Sequence, residues 1–117
     1  MVRLYDSELK LMELLWQSEP ASAKELSMRA AQSVGWNKNT TYTVLKKLIE
    51  KSAVKREEPG FVCTSLVQKA DVRKAETDSL IDKLYGGSRR AFFSAFLEDE
   101  RLSAQEIAEI KAMIEKR

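Results

Sequence analysis

A chain of 117 residues, 44% hydrophobic and 32% charged with a formal charge of +2, is one ordinary folded domain or a small domain carrying an appendage. No apolar run approaches the roughly 18–20 residues of a membrane span and no basic-then-apolar segment opens the chain, so no membrane partner and a cytoplasmic location are expected. Cys63 is the only cysteine and there is no histidine, which forbids an internal disulfide and removes the commonest general base and a favoured metal ligand.

Asp6 is expected to cap a first helix, with Glu8 near the positive end of its dipole. Leu9, Met12 and Trp16 repeat at helical spacing, Leu11, Leu14 and Leu15 widen the apolar face, and Pro20 ends the element. Ser22-Ala23-Lys24-Glu25 is a capping box for a second helix whose inner edge is Leu26, Ala30 and Val34, and Gly35 stops it. Trp16 and Trp36 read as core or turn anchors, because indole buries a large area.

A third helix is expected over about residues 37–52, capped by Asn37. Thr41, Val44, Leu45 and Leu48 share one stripe at i, i+3, i+4, i+7. The opposite face carries Asn39, Thr43 and Lys46, flanked by Thr40, Tyr42 and Lys47. Amide, hydroxyl and ammonium groups are those that bond base edges and phosphates. From Asn37 to Arg56 there are six basic residues and one acid, Glu50, a local +5 on a nearly neutral chain. Two helices joined by a tight Gly-containing turn, the second with the polar face, make a helix-turn-helix.

Residues 53–57 and 61–65 flank Glu58-Pro59-Gly60 and read as a β-hairpin. Three helices and a hairpin give a mainly α fold of the winged helix-turn-helix type. Lys55 and Arg56 either blunt an exposed strand edge or touch phosphate. Cys63, mid-strand, reads as structural rather than redox-active.

A fourth helix is expected through Val72, Leu80, Ile81 and Leu84 to Tyr85, broken by Gly86-Gly87. Ser88 caps a fifth through Leu97, with Phe92/Phe96 and Phe93/Leu97 as i, i+4 pairs. Ser103 and Glu106 form a second capping box, with Leu102 and Ile107 as its staple, and Ile107, Ile110 and Ile114 form the last stripe. Some fifty residues in three short helices bury too little surface to stand alone, so they are expected to pack on the first half of the chain or on the same segment of a second copy, and symmetry favours the second copy. The organisation expected is therefore a DNA-binding domain over 1–67 and a helical dimerisation segment over 68–117, using Leu80, Leu84, Phe92, Phe93, Phe96, Leu97, Ile107, Ile110 and Ile114. A homodimer suits a reader of two-fold symmetric DNA.

Several stretches resemble, in order and spacing, the penicillinase-repressor family (BlaI/MecI type) along essentially the whole chain. They are Asp6-Ser7-Glu8-Leu9 with Met12 and Leu15-Trp16; Gly35-Trp36 leading into Asn39 through Leu48; Leu84-Tyr85-Gly86-Gly87-Ser88; and Phe96-Leu97-Glu98 followed by Leu102-Ser103 and Glu106-Ile107. The resemblance implies a bacterial transcriptional repressor that binds, as a homodimer, an inverted-repeat operator with TACA/TGTA-type half-sites. It places DNA contacts on Asn39, Thr40, Tyr42, Thr43 and Lys47, to which the charge pattern adds Lys46, Lys55 and Arg56. A basic residue is usual in the family where this chain has Asn39, which shifts the expected base preference from guanine towards adenine. The hairpin is about two residues shorter than is usual there.

The resemblance further implies an inactivating protease that cuts the dimerisation segment between an asparagine and a phenylalanine. The aligned pair is Ala95-Phe96, which keeps the phenylalanine and replaces the asparagine. The copper-responsive branch has a cysteine-rich C-terminal motif, whereas this chain ends Glu115-Lys116-Arg117, so no metal and no cofactor are expected. The competing function is a protein-interaction module on a winged helix without specific DNA binding. An enzyme is not expected, since no histidine, phosphate-cradling glycine loop or paired carboxylates supply catalytic roles.

Overall fold

In the computed structural model, which describes residues 3–117, the first helix (α1, Asp6–Gln17) is capped by Tyr5 rather than by Asp6. The Tyr5 amide donates to Glu8 Oε1 at 2.7 Å, so a side chain one turn inside the helix satisfies the cap residue. Asp6 becomes the first helical residue, where its charge still meets the dipole. At the other end, Arg29 donates to the carbonyls of Leu14 and Ser18 at 3.3 and 3.0 Å, covering groups that a helix terminus leaves open.

A two-residue strand (β1, Ala21–Ser22) leads into α2 (Ala23–Ser33), whose capping box forms as the Ser-x-x-Glu spacing predicts. Gly35 follows with φ +77, a conformation that glycine adopts without a Cβ clash, and its amide reaches the Ala30 carbonyl. The third helix (α3, Lys38–Glu50) is capped by Asn37, which accepts from the Thr40 amide at 2.8 Å. It stops two residues short of the expected Ser52. Lys51 closes it and Ser52 takes φ 61, turning the chain so that the Ala53 amide bonds the Leu48 carbonyl.

The hairpin is β2 (Val54–Glu57) and β3 (Val62–Ser65), each one residue shorter than expected at its start. Phe61 is left in the turn, with φ 50. β3 is the central strand of an antiparallel sheet ordered β1-β3-β2, with Ala21 opposite Cys63 and Arg56 opposite Cys63 on the other side. Beneath this sheet, Leu11, Met12, Leu15, Leu26, Leu45 and Leu48 are fully buried. Each such side chain contributes about 1.5–3 kcal/mol of transfer free energy. The stripe Thr41, Val44, Leu45 and Leu48 is the buried face of α3, as its spacing requires.

The chain forms two compact units, the first ending at Arg73 and the second running from Lys74 to Arg117. The fourth helix (α4, Lys69–Tyr85) begins in the first unit. There Val72 is buried, Lys69 pairs with Glu13 at 3.0 Å, and the indole of Trp16 donates to the Val67 carbonyl at 3.1 Å. These contacts tie the start of α4 to the first unit.

In the second unit, α4 ends at Gly86-Gly87, both at positive φ, with the Gly87 amide bonded to the Ile81 carbonyl. Helix α5 (Arg89–Leu97) is capped by Ser88, and α6 (Ala104–Glu115) by the reciprocal Ser103–Glu106 pair. Ile81 is buried, Tyr85 meets Phe92 edge-on at 5.6 Å, and Phe93 stacks on Phe96 at 6.3 Å. Neither α5 nor α6 has a fully buried residue, and Leu80, Leu84, Phe96, Leu97, Ile107 and Ile114 stand exposed. No helix among the described residues is long and apolar enough to cross a membrane.

Candidate nucleic-acid interface

Burial of one stripe of α3 fixes what its other side presents. Asn39, Thr43, Lys46 and Lys47 are exposed, while Thr40 and Tyr42 are half-buried at the edges. The Thr43 hydroxyl donates to the Asn39 carbonyl at 2.9 Å. Its proton is therefore engaged along the helix, and what it offers outward is an oxygen acceptor and a methyl group. Those suit the exocyclic amine of adenine or cytosine and the methyl of thymine. The Asn39 amide carries a donor and an acceptor together, the pair that bonds adenine in the major groove.

The local charge is smaller than the residue count suggests. Lys51 is spent internally: its Nζ lies 2.7 Å from Glu8 Oε1, 2.9 Å from the Arg3 carbonyl and 4.4 Å from the centre of the Tyr5 ring. Lys55 pairs with Glu57 at 3.3 Å, and Arg56 makes two bonds to Glu58 Oε1, at 2.6 and 3.0 Å. Among the described residues, Lys38, Lys46 and Lys47 have no carboxylate within ion-pair distance. These three, all on α3, are the cations a phosphate would meet uncompensated. Lys38 did not stand out as a contact residue in the sequence, although its position four residues before Tyr42 was a signal. Its ammonium sits 5.6 Å from the Tyr42 ring centre.

Tyr42 also joins helix to hairpin. Its ring packs against Phe61 at 6.2 Å, and Phe61 in turn carries the Arg56 guanidinium at 3.8 Å. Tyr42, Lys46, Ile49, Glu50, Arg56 and Phe61 line an open cleft of about 470 Å³. Glu58 is held below the ordinary carboxylate range by its bonds from Arg56 and then by the Phe61 amide, which donates to Oε2 at 3.0 Å. The same bonds that favour the carboxylate form keep the Arg56–Glu58 pair charged at neutral pH.

Cys63 lies fully buried in the central strand, and burial pushes its thiol up to about 11, with Arg56 acting weakly the other way. The folded state thus favours the neutral thiol. That contribution is complete below the unfolded thiol's pKa of about 8.5 and fades as pH rises from there through about 11. In urea unfolding, Cys63→Ala should lose less stability than the wild type between those limits, because the thiol is the one ionisable group that differs between the two proteins. Parallel alkaline limbs would reject a buried thiol.

The dimerisation residues expected from the sequence fall in the second unit. There Leu80, Leu84, Phe96, Leu97, Ile107 and Ile114 are exposed and Phe92, Phe93 and Ile110 are half-buried. Ala95 and Phe96 lie in the last turn of α5, both exposed, with carbonyls accepting from the Glu98 and Asp99 amides. No cluster of three or more His, Cys, Asp or Glu residues able to hold a metal occurs among the described residues.

Known proteins share this arrangement. The penicillinase repressor of Bacillus licheniformis is 27% identical over 115 residues, covering 97% of this chain and 90% of that protein. The methicillin resistance regulatory protein MecI of Staphylococcus aureus (strain N315) is 26% identical over 113 residues, covering 95% and 92%. The solution structure of the DNA binding domain of the repressor BlaI superposes with a TM-score of 0.56 at 26% identity, over 60% of this chain and 88% of that one. The monomeric form of Bacillus licheniformis BlaI, in complex with the blaP half-operator, does so with a TM-score of 0.53 at 27% identity, over 59% and 87%. Residues 4–116 match the family described as Penicillinase repressor, and the chain belongs to that family.

Proposed function

We propose that this protein is a DNA-binding transcriptional repressor that sits on an inverted-repeat operator as a homodimer, with α3 in the major groove. The observation that carries the reading is the exposed face of α3. Asn39, Thr40, Tyr42 and Thr43 provide bonding groups for bases and backbone, beside the uncompensated cations Lys38, Lys46 and Lys47. The likeness to a BlaI structure complexed with a half-operator supports the same docking. One short helix discriminates weakly, and two related by a dyad read enough base pairs for an operator. The exposed apolar side chains of the second unit are the surface on which a second copy is to pack. The setting is the cytoplasm, and the chain has no catalytic role.

Inactivation by a protease between Ala95 and Phe96 belongs to the same reading. Both side chains are accessible, and unwinding one helical turn exposes the bond.

Thr43 and Lys47 should respond differently to truncation. Thr43→Ala is expected to relax base preference at one operator position by about 1–3 kcal/mol. Lys47→Ala should weaken binding to every duplex and flatten the slope of log affinity against log salt by about 0.9. Mobility shifts across a salt series measure both. If operator affinity is untouched in the two variants, α3 is not the reading head. A chain that gives no salt-sensitive shift on any duplex is a protein-interaction module instead.

A further inference from the structure

The hairpin of a winged helix stands beside the reading helix, and here its cations are already occupied. Along β2 the side chains alternate, so Lys55 and Glu57 share one face, while Arg56 on the other meets Glu58 from the turn that follows the strand. Each cation meets the carboxylate two residues on: Lys55 Nζ lies 3.3 Å from Glu57, and Arg56 bonds Glu58 through Nε and Nη2. Arg56 is restrained on a third side by the Phe61 ring at 3.8 Å. Glu58 is itself fixed, since its second oxygen accepts from the Phe61 amide at 3.0 Å. The segment Lys55-Arg56-Glu57-Glu58 therefore has no net charge, in contrast to α3.

Exposed pairs of this kind add little to stability. Their effect is on the field outside. A cation held by a carboxylate releases no counterion from DNA, whereas a free one adds a phosphate contact on any sequence. We propose that Glu57 and Glu58 withhold Lys55 and Arg56 from the phosphates, which makes the two glutamates specificity-determining residues of this repressor. The inference rests on the DNA-binding reading of α3. By removing a sequence-blind grip, the neutral hairpin widens the ratio of specific to non-specific binding, leaving discrimination to the helix.

The test uses the full chain and a random-sequence duplex, with affinity followed across a salt series. Glu57→Gln/Glu58→Gln should bind more tightly, with a slope steeper by about 0.9 for each cation released, so that a fourfold rise in salt costs about 3.5-fold more per contact. Glutamine at 58 can still accept from the Phe61 amide, and an unchanged melting curve verifies that the hairpin stays intact. Glu100→Gln, the same charge change at an exposed carboxylate that holds no cation in an ion pair among the described residues, should leave the slope alone. Arg56→Gln in the wild-type background should also leave it alone, but in the double variant it should take back about 0.9. The wild-type half of this comparison stands even if the glutamine variants fold poorly. A wild-type slope that flattens fully on Arg56→Gln overturns the inference, as does a double variant indistinguishable from wild type. Wild-type protein with no salt-dependent binding to random duplex removes the DNA reading itself, a result visible before any variant is made.

Discussion

Lys51→Ala should destabilise the fold by about 3 kcal/mol, towards the lower end of the range for breaking a buried ion pair. Glu8 is 1% exposed, although it sits in the first turn of α1, where a carboxylate normally faces water. Its Oε1 is shared between the Lys51 ammonium and the Tyr5 amide, both at 2.7 Å, and its Oε2 has no hydrogen-bond partner among the described residues. Taking Lys51 away leaves that carboxylate desolvated with a single amide donor, and also removes the cation over the Tyr5 ring. Lys51 closes the C-terminal end of α3, so the pair pins that end of the reading helix to the start of α1. A melting temperature lower by about 10 °C or more is the readout, taken at one fixed protein concentration. Glu8→Met/Lys51→Met should be milder than Lys51→Ala, because two apolar groups leave no orphaned charge. A single variant within about 1 kcal/mol of wild type, or a double variant as damaging as Lys51→Ala, would show that the pair is not electrostatically buried.

That pair also marks where the sequence stopped being informative. Local chemistry was legible: Asn37, Ser22, Ser88 and Ser103 cap helices where their spacing to the following turn requires it, and the period of Thr41, Val44, Leu45 and Leu48 fixed both faces of α3. What could not be read was any relation across distance. Glu8 and Lys51 are 43 residues apart, so their partnership leaves no periodic trace, and Lys51 counted as part of a basic stripe it does not join. β1 is two residues, Ala-Ser, too short to show an alternation, and exists only because β3 pairs with it. Glu19 escaped notice in the same way: it accepts from both the amide and the hydroxyl of Ser65, tying the α1–β1 loop to the end of β3. Tyr42 was legible as polar and outward, yet its ring is held by Phe61 from the hairpin, so half of its role is architectural. Helix ends slipped by one or two residues wherever backbone conformation decided them, as at Ser52.

Leu84→Asp, and independently Ile114→Asp, should abolish dimerisation while leaving the folded chain intact. In the single chain Leu84 is 66% exposed and Ile114 58%, so aspartate at either place meets water and costs the monomer little. The same carboxylate in the centre of an apolar interface would be buried unpaired, a penalty of several kcal/mol. The two substitutions lie on different helices of the second unit, α4 and α6, which makes a shared outcome hard to ascribe to local damage. Sedimentation should then report one subunit, with far-UV dichroism unchanged. Affinity for a palindromic duplex should fall by about 10²–10⁴, the advantage of having the second reading head tethered to the first. Affinity for a half-site should hardly move, since α3 is untouched. If both variants sediment as dimers and keep palindrome affinity, the exposed residues of α4 and α6 are not the contact. Loss of half-site binding as well would instead mean that the reading unit depends on these residues for its own folding.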